Sequence, residues 1–220
     1  MADRPSLKLE VVSDVVCPWC YIGKKRLGDA LALAGDVDVE VRWRPFFLNP
    51  WIPRKGVDRK AYLEAKFGSV ERYRGIAANV AAAAAEEGLS YEWTKISRQP
   101  NTLDCHRLIR WGEAIGQSDA IKQRLMELYF TGGGDLTDPE VLVRAAADCG
   151  LDADEVRSRL ASDLDVEAVA RDAKAAADAG ISGVPTFLFD GRYALSGAYP
   201  ADQLAQAIRQ VAASEQQQAS

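Results

Sequence analysis

Apolar residues alternate with polar ones from Leu7 to Val12, the period of a strand with one buried face. The rhythm then lengthens, and Leu27, Leu31 and Ala34 fall on one stripe of a helix that Gly35 is placed to stop. Val37, Val39, Val41 and Trp43 restore the two-residue period against Asp38, Glu40, Arg42 and Arg44. The chain therefore opens β-α-β. Pro45-Phe46-Phe47-Leu48-Asn49-Pro50-Trp51-Ile52-Pro53 breaks regular structure with its prolines and reads as a boundary.

From about Asp58 to Gly180 the pattern is almost wholly helical. Tyr73, Ala77, Val80 and Ala84 mark one apolar stripe before Gly88, and Ile121, Leu125, Leu128 and Tyr129 mark another before Gly132-Gly133-Gly134. Asp138 as cap and Pro139 at the first helical position precede Leu142, Ala145, Ala146 and Cys149. Val166, Val169, Ala173 and Ala177 form a last stripe before Gly180. Strand character returns at Val184 to Phe189, turns through Asp190-Gly191 and continues over Tyr193 to Leu195 as a hairpin. Leu204, Ile208 and Val211 restore a helical period, and residues 216–220 read as a frayed tail. No internal repeat is evident.

The chain has 220 residues, enough for one substantial core, or one core plus an inserted subdomain. Its 48% apolar content describes a globular protein, and its net charge of −5 gives no electrostatic reason to expect nucleic acid. No apolar run approaches the ~20 residues needed to span a membrane. The start leads directly into a strand with no secretory-type apolar stretch, so a cytoplasmic location is expected. In a reducing compartment, cysteines are more often catalytic or buried thiols than structural bridges.

The chemistry concentrates in Cys17-Pro18-Trp19-Cys20, which follows the first strand and opens the first helix. There, free backbone N–H groups and the positive helix end stabilise one thiolate, while the second thiol lies about one turn on, within reach. Pro18 suits the first helical position, where its missing N–H has no partner to lose. Half of a zinc site has the same spacing, but the remaining N/S ligands, Cys105, His106 and Cys149, include no second close pair. Redox chemistry is the better reading. Cys105 and Cys149 read as small core hydrophobes.

The resemblance is carried by residues 13–23 (Ser-Asp-Val-Val-Cys-Pro-Trp-Cys-Tyr-Ile-Gly), 44–50, Asn101-Thr102, His106-Arg107-Leu108, 180–187 (Gly-Ile-Ser-Gly-Val-Pro-Thr-Phe) and Ser196-Gly197-Ala198. In these the chain resembles the DsbA-like thiol:disulfide oxidoreductases, most closely their cytoplasmic FrnE-like branch. The resemblance implies an α/β thioredoxin fold, β-α-β then β-β-α, with a large all-helical insertion. Residues 1–50 and 181–215 would form the thioredoxin-fold domain and 51–180 the inserted helical domain. Tyr199 stands where the resemblance leads one to expect glutamine, and a further C-terminal cysteine pair of some relatives is absent.

Cys17 is the expected attacking sulfur and Cys20 the resolving one. The resemblance implies that Pro185 is a cis-proline against the dithiol, presenting the Val184 backbone to substrate; the alternative is a proline at a strand end. Trp19 replaces the intervening histidine of strongly oxidising relatives, implying a less oxidising pair, and binds apolar substrate or simply packs. Asp14 exchanges protons with Cys20 or caps a turn. His106 packs in the helical part or, with Asn101, borders the substrate site. Lys24, Lys25 and Arg26 read as a solvated face. Expected substrates are disulfide-containing proteins or small molecules, with no metal and no tightly bound cofactor, glutathione as candidate reductant or co-substrate, and a monomer or homodimer. The competing reading is a glutathione-dependent isomerase or transferase of the 2-hydroxychromene-2-carboxylate isomerase or kappa type, which shares the architecture and has no need of Cys20.

Overall fold

A computed structural model describes residues 4–219. Its central sheet has the order β2-β1-β5-β6, from β1 (Ser6–Ser13), β2 (Asp38–Pro45), β5 (Thr186–Phe189) and β6 (Tyr193–Ser196). β1 runs parallel to β2, joined by the crossover helix α1 (Pro18–Leu33), and antiparallel to β5, which turns back into β6. Leu9 faces Val41 on one side and Phe189 on the other, and Val11 faces Trp43 and Phe187, so the alternating residues of β1 enter one core. α9 (Ala201–Ala219) packs on α1 and β1 through Leu204, Ala205 and Ile208. This is the thioredoxin fold the resemblance implied.

Between β2 and β5 the chain is helical: α2 (Arg59–Phe67), α3 (Val70–Glu86), α4 (Leu103–Glu113), α5 (Ser118–Gly132), α6 (Pro139–Ala147), α7 (Ala153–Leu160) and α8 (Val166–Asp178). Their starts carry the expected caps: Asp58, Ser69, Asp138 and Asp152 each accept a backbone N–H from the first turn. The buried face of α3 is Tyr73, Ala77, Val80 and Ala84, the stripe its spacing predicts.

A two-stranded sheet was not legible in the periodicity: β3 (Val57–Asp58) pairs with β4 (Arg98–Gln99), two residues each. It carries Gln99 to the buried Arg59, whose guanidinium also donates to Tyr73 (3.2 Å) and Tyr129 (3.3 Å) and lies over the Tyr62 and Tyr73 rings. Two strand and tail boundaries also differ from expectation. β5 begins at Thr186, not Val184, because Pro185 brings no N–H to a ladder. The expected frayed tail at 216–220 is instead helical as far as Ala219, since its glutamines and alanine are good helix formers; Ser220 lies outside the described residues.

The helices and the sheet are tied by Arg26. Its Nε donates to Glu87 Oε1 at the end of α3 (2.6 Å) and its guanidinium to the Ala198 carbonyl after β6 (2.6 Å). Lys24 reaches Asp119 of α5 at 3.0 Å and lies over the Trp43 ring. The expectation of a solvated Lys24-Lys25-Arg26 face therefore holds only for Lys25. Lys24 and Arg26 face the seam between helices and sheet, where acidic and carbonyl partners satisfy them.

Two glycines of α1 make opposite predictions. A Cβ on Gly23 would lie 2.9 Å from Pro185 Cγ, whereas one on Gly28 would meet nothing within 4 Å. Gly28→Ala is expected to stabilise by about 0.5–1 kcal/mol through helix propensity alone. Gly23→Ala gains the same term but loses about 1–3 kcal/mol to overpacking against a rigid ring, so it is expected to destabilise. Urea unfolding of the two variants measures the difference, and equal shifts would remove the close contact from the account.

Candidate active site

Cys17 is the residue before the first turn of α1, in extended conformation (φ −90°, ψ 115°), with Pro18 next and no side chain capping the helix. The main-chain carbonyl of Asp14 accepts the Cys17 N–H at 3.2 Å, and the Cys17 carbonyl accepts from Cys20 at 3.0 Å and Tyr21 at 3.2 Å. These bonds turn the chain tightly into the helix and leave the first N–H groups for the sulfur. Cys17 and Cys20 are both free thiols and both buried. The Cys17 sulfur lies 3.5 Å from the Val184 carbonyl oxygen, and the Val184–Pro185 peptide is cis. Gly23, one turn beyond Cys20, is the surface on which Pro185 rests.

The two sulfurs differ electrically. A hydrogen bond from the Cys20 thiol, aided by the N–H groups of Cys20 and Trp19, lowers the Cys17 thiol below its ordinary value despite its burial. Burial first, then the neighbouring Cys17, pushes the Cys20 thiol well up, with Lys122 of α5 pulling the other way. Cys17 is thus the thiolate of the pair and Cys20 the thiol. Burial alone raises Cys105, and burial chiefly raises Cys149.

Beneath the dithiol lies a layer of buried polar groups. Asp14, 1% exposed, accepts the Leu48 N–H through Oδ2 at 2.9 Å, while its Oδ1 faces His106 Nε2 at 3.4 Å. The carboxylate therefore caps no turn of its own; its main chain does that. Two cations complete the layer. Lys122, 1% exposed, places its ammonium 4.8 Å from the Trp43 ring centre and close enough to Cys20 and Asp14 to feel both charges. Lys66 of α2 bonds Asn49 Oδ1 at 2.5 Å and feels Cys17 and Asp14. Neither lysine was found from the sequence. Lys122 sits within an apolar stripe, and only the contact of α5 with α1 reveals its role.

Of the other expected site residues, Trp19 is 40% exposed on the outer side of the dithiol. His106 is not on an open groove; it is 4% exposed and tilted against Phe47, because α4 turns it inward toward Asp14. Asn101 is committed to structure, donating to the Ile52 carbonyl at 2.7 Å and accepting the Leu103 N–H at 3.0 Å at the start of α4. A cleft of about 680 Å³ opens between α1, β2, α4 and α8, lined by Trp43 and His106 but by neither cysteine. Among the described residues, no group of three or more His, Cys, Asp or Glu is arranged to hold a metal, and no helix is long and apolar enough to cross a membrane.

Two measurements follow from these electrostatics. Alkylation followed against pH is expected to show Cys17 titrating below the free-thiol value near ~8.5 and Cys20 above it; coincident titrations near that value would contradict the asymmetry. Burial holds the Lys122 ammonium down at about 8, so the folded chain binds fewer protons than the unfolded one above that pH. Stability from this group therefore rises with pH from about 8 toward the free lysine value of ~10.4. Lys122→Met is expected to be more stable than the unmodified chain at pH 7, by on the order of 2–3 kcal/mol, with the gap closing as pH approaches ~10. Urea unfolding at both pH values tests this, and a less stable variant at pH 7 would show the buried charge to be net favourable.

Comparison with known proteins agrees with this geometry. The profile of the DSBA-like thioredoxin domain matches residues 8–209. The probable DsbA oxidoreductase SCO1869 from Streptomyces coelicolor is 37% identical, with a TM-score of 0.84 over 93% of this chain and 89% of that one. The uncharacterized protein YwbO from Bacillus subtilis (strain 168) is 25% identical over 207 residues, 92% of this chain and 96% of YwbO. A 2-hydroxychromene-2-carboxylate isomerase covers 97% of this chain and 100% of its own with a TM-score of 0.71, and at 15% identity it shares the fold alone. Placed on a thioredoxin sheet with the dithiol at the start of α1, a match of this breadth has one meaning: the chain belongs to the DSBA-like thioredoxin domain family.

Proposed function

We propose that this chain is a thiol:disulfide oxidoreductase or isomerase in which Cys17 attacks and Cys20 resolves. The observation that carries the reading is the pairing of two free, buried sulfurs at one helix start, the first against the Val184 carbonyl. The Cys17 thiolate attacks one sulfur of a substrate disulfide; a Cys17–substrate bond forms and the other substrate sulfur leaves as a thiolate. Cys20 loses its proton and attacks Cys17, so the Cys17–Cys20 disulfide forms and the reduced substrate departs. The same steps reversed oxidise a dithiol. Isomerisation needs only the first step and its return.

Substrate is received beside the exposed faces of Trp19 and Trp51, which are 40% and 55% exposed and give apolar area near the start of α1 and in the loop before α2. Val184 contributes its main chain, held by the Gly197 N–H bond to the Pro185 carbonyl at 2.8 Å. Disulfide-containing proteins and small molecules both fit this description, with glutathione as reductant or co-substrate. The glutathione-dependent isomerase reading uses the same fold, but it leaves the buried Cys20 without a task.

Substitution of each cysteine separates the two. Cys17→Ser is expected to abolish reduction of insulin disulfides. Cys20→Ser is expected to keep the attack and accumulate mixed disulfides, visible by mass spectrometry. Trapping by Cys17→Ser would reverse the roles. Loss of insulin reduction in Cys20→Ser, with glutathione-dependent isomerase turnover intact, would make the isomerase reading the better one.

A further inference from the structure

Resolution by Cys20 requires its proton to leave, and the site gives that proton little access to solvent on the substrate side. Cys20 is 1% exposed, and Cys17, the Val184–Pro185 loop and any docked substrate lie between it and solvent. Behind the dithiol, however, three buried polar atoms have no hydrogen-bond partner: Ser13 Oγ, Asp14 Oδ1 and His106 Nε2. A buried polar group left unpaired costs about 1–3 kcal/mol, so three neighbouring ones need a reason to persist. They are also connected. The Asp14 main chain bonds the Cys20 sulfur, Asp14 Oδ1 stands 3.4 Å from His106 Nε2, and His106 lines the 680 Å³ cleft that opens away from the dithiol.

We propose that Asp14 and His106 form a rear proton exit, carrying the Cys20 proton from beneath the dithiol to the cleft floored by Trp43. The inference rests on the dithiol reading and adds the route by which resolution proceeds while a substrate covers the front. As the Cys20 sulfur attacks Cys17, its proton passes to the Asp14 carboxylate and then through the His106 ring to water in the cleft. The Cys17–Cys20 bond forms, the Cys17–substrate bond breaks, and the departing substrate thiolate takes a proton from solvent. Reduction of the disulfide runs the path inward. His106 touches no reacting sulfur and acts through Asp14, as a relay.

The charged groups around this path favour it. Lys122 from α5 and Lys66 from α2 act on Asp14, Lys122 also acts on Cys20, and Lys66 on Cys17. Both present positive charge toward the carboxylate while leaving Oδ1 open to His106. On the far side, the cleft walls carry Lys24 and Asp119, bonded to each other, and Arg110 and Asp172, likewise bonded, so charged groups and solvent meet at the exit. The path crosses the seam between sheet and helices, with Asp14 supplied by the loop after β1 and His106 by α4.

A chromogenic aromatic disulfide that releases one coloured thiolate at each step resolves the two half-reactions in a single turnover of the reduced chain. His106→Gln and His106→Ala are expected to leave the first, Cys17-dependent phase unchanged and to slow the second by on the order of 10²-fold, the low end of general acid–base contributions. Imidazole added to His106→Ala is expected to restore the second phase. Gly28 also lines the cleft, where a Cβ meets nothing within 4 Å, so Gly28→Trp in the His106→Ala background is expected to weaken that rescue. A second phase unchanged in both His106 variants would overturn the exit. So would a slowed phase that imidazole does not restore, since that is the signature of lost packing. Failure of the underlying reading looks different: the first phase would persist in Cys17→Ser.

Discussion

The site depends on one close approach, the start of α1 against the Val184–Pro185 loop. Gly23 permits it, because a side chain there would collide with Pro185, and the Cys17 sulfur completes it at the Val184 carbonyl. That approach seats Cys17 where helix N–H groups have no intrahelical partners, and so gives the two sulfurs different proton affinities. Moving the loop away would expose both sulfurs equally and erase the distinction between attacker and resolver.

The helical insertion contributes to the dithiol from below. Lys122, Lys66 and His106 come from α5, α2 and α4, and converge on Asp14 at the end of β1. Burying such groups is costly, and several of their polar atoms are left unpaired. The larger apolar cores on either side absorb that cost, with Tyr129, Phe130 and Leu125 filling the helical part and Leu9, Ile22 and Phe187 the sheet. Arg26 and Lys24 hold the two parts in register at the seam where the polar layer lies.

Much of this was legible in the chain, for identifiable reasons. Alternation in β1 and β2, the stripe of α3 and the Asp138-Pro139 start of α6 are local signals, and local signals survive folding. The Cys17-Pro18-Trp19-Cys20 motif is local too. What escaped were features that exist only once distant segments meet. Two-residue strands such as β3 and β4 carry no period, and a lysine in an apolar stripe looks like a surface residue until α5 is laid against α1. Arg26 reads as a solvent-facing charge until Glu87 and Ala198 arrive 61 and 172 residues later. His106 and Asn101 were placed near the substrate by resemblance, whereas α4 turns one toward Asp14 and spends the other on its own first turn.

The central claim is that Cys17 and Cys20 form an asymmetric redox pair, and equilibration in glutathione buffers of graded poise tests it most directly. Acid quenching followed by peptide mass spectrometry reads the result. The account predicts a single two-electron transition, a loss of two hydrogens confined to the peptide holding Cys17 and Cys20, with Cys105 and Cys149 remaining reduced throughout. A chain in which no Cys17–Cys20 disulfide forms at any poise, or in which Cys105 or Cys149 is the partner that Cys17 takes, would contradict it.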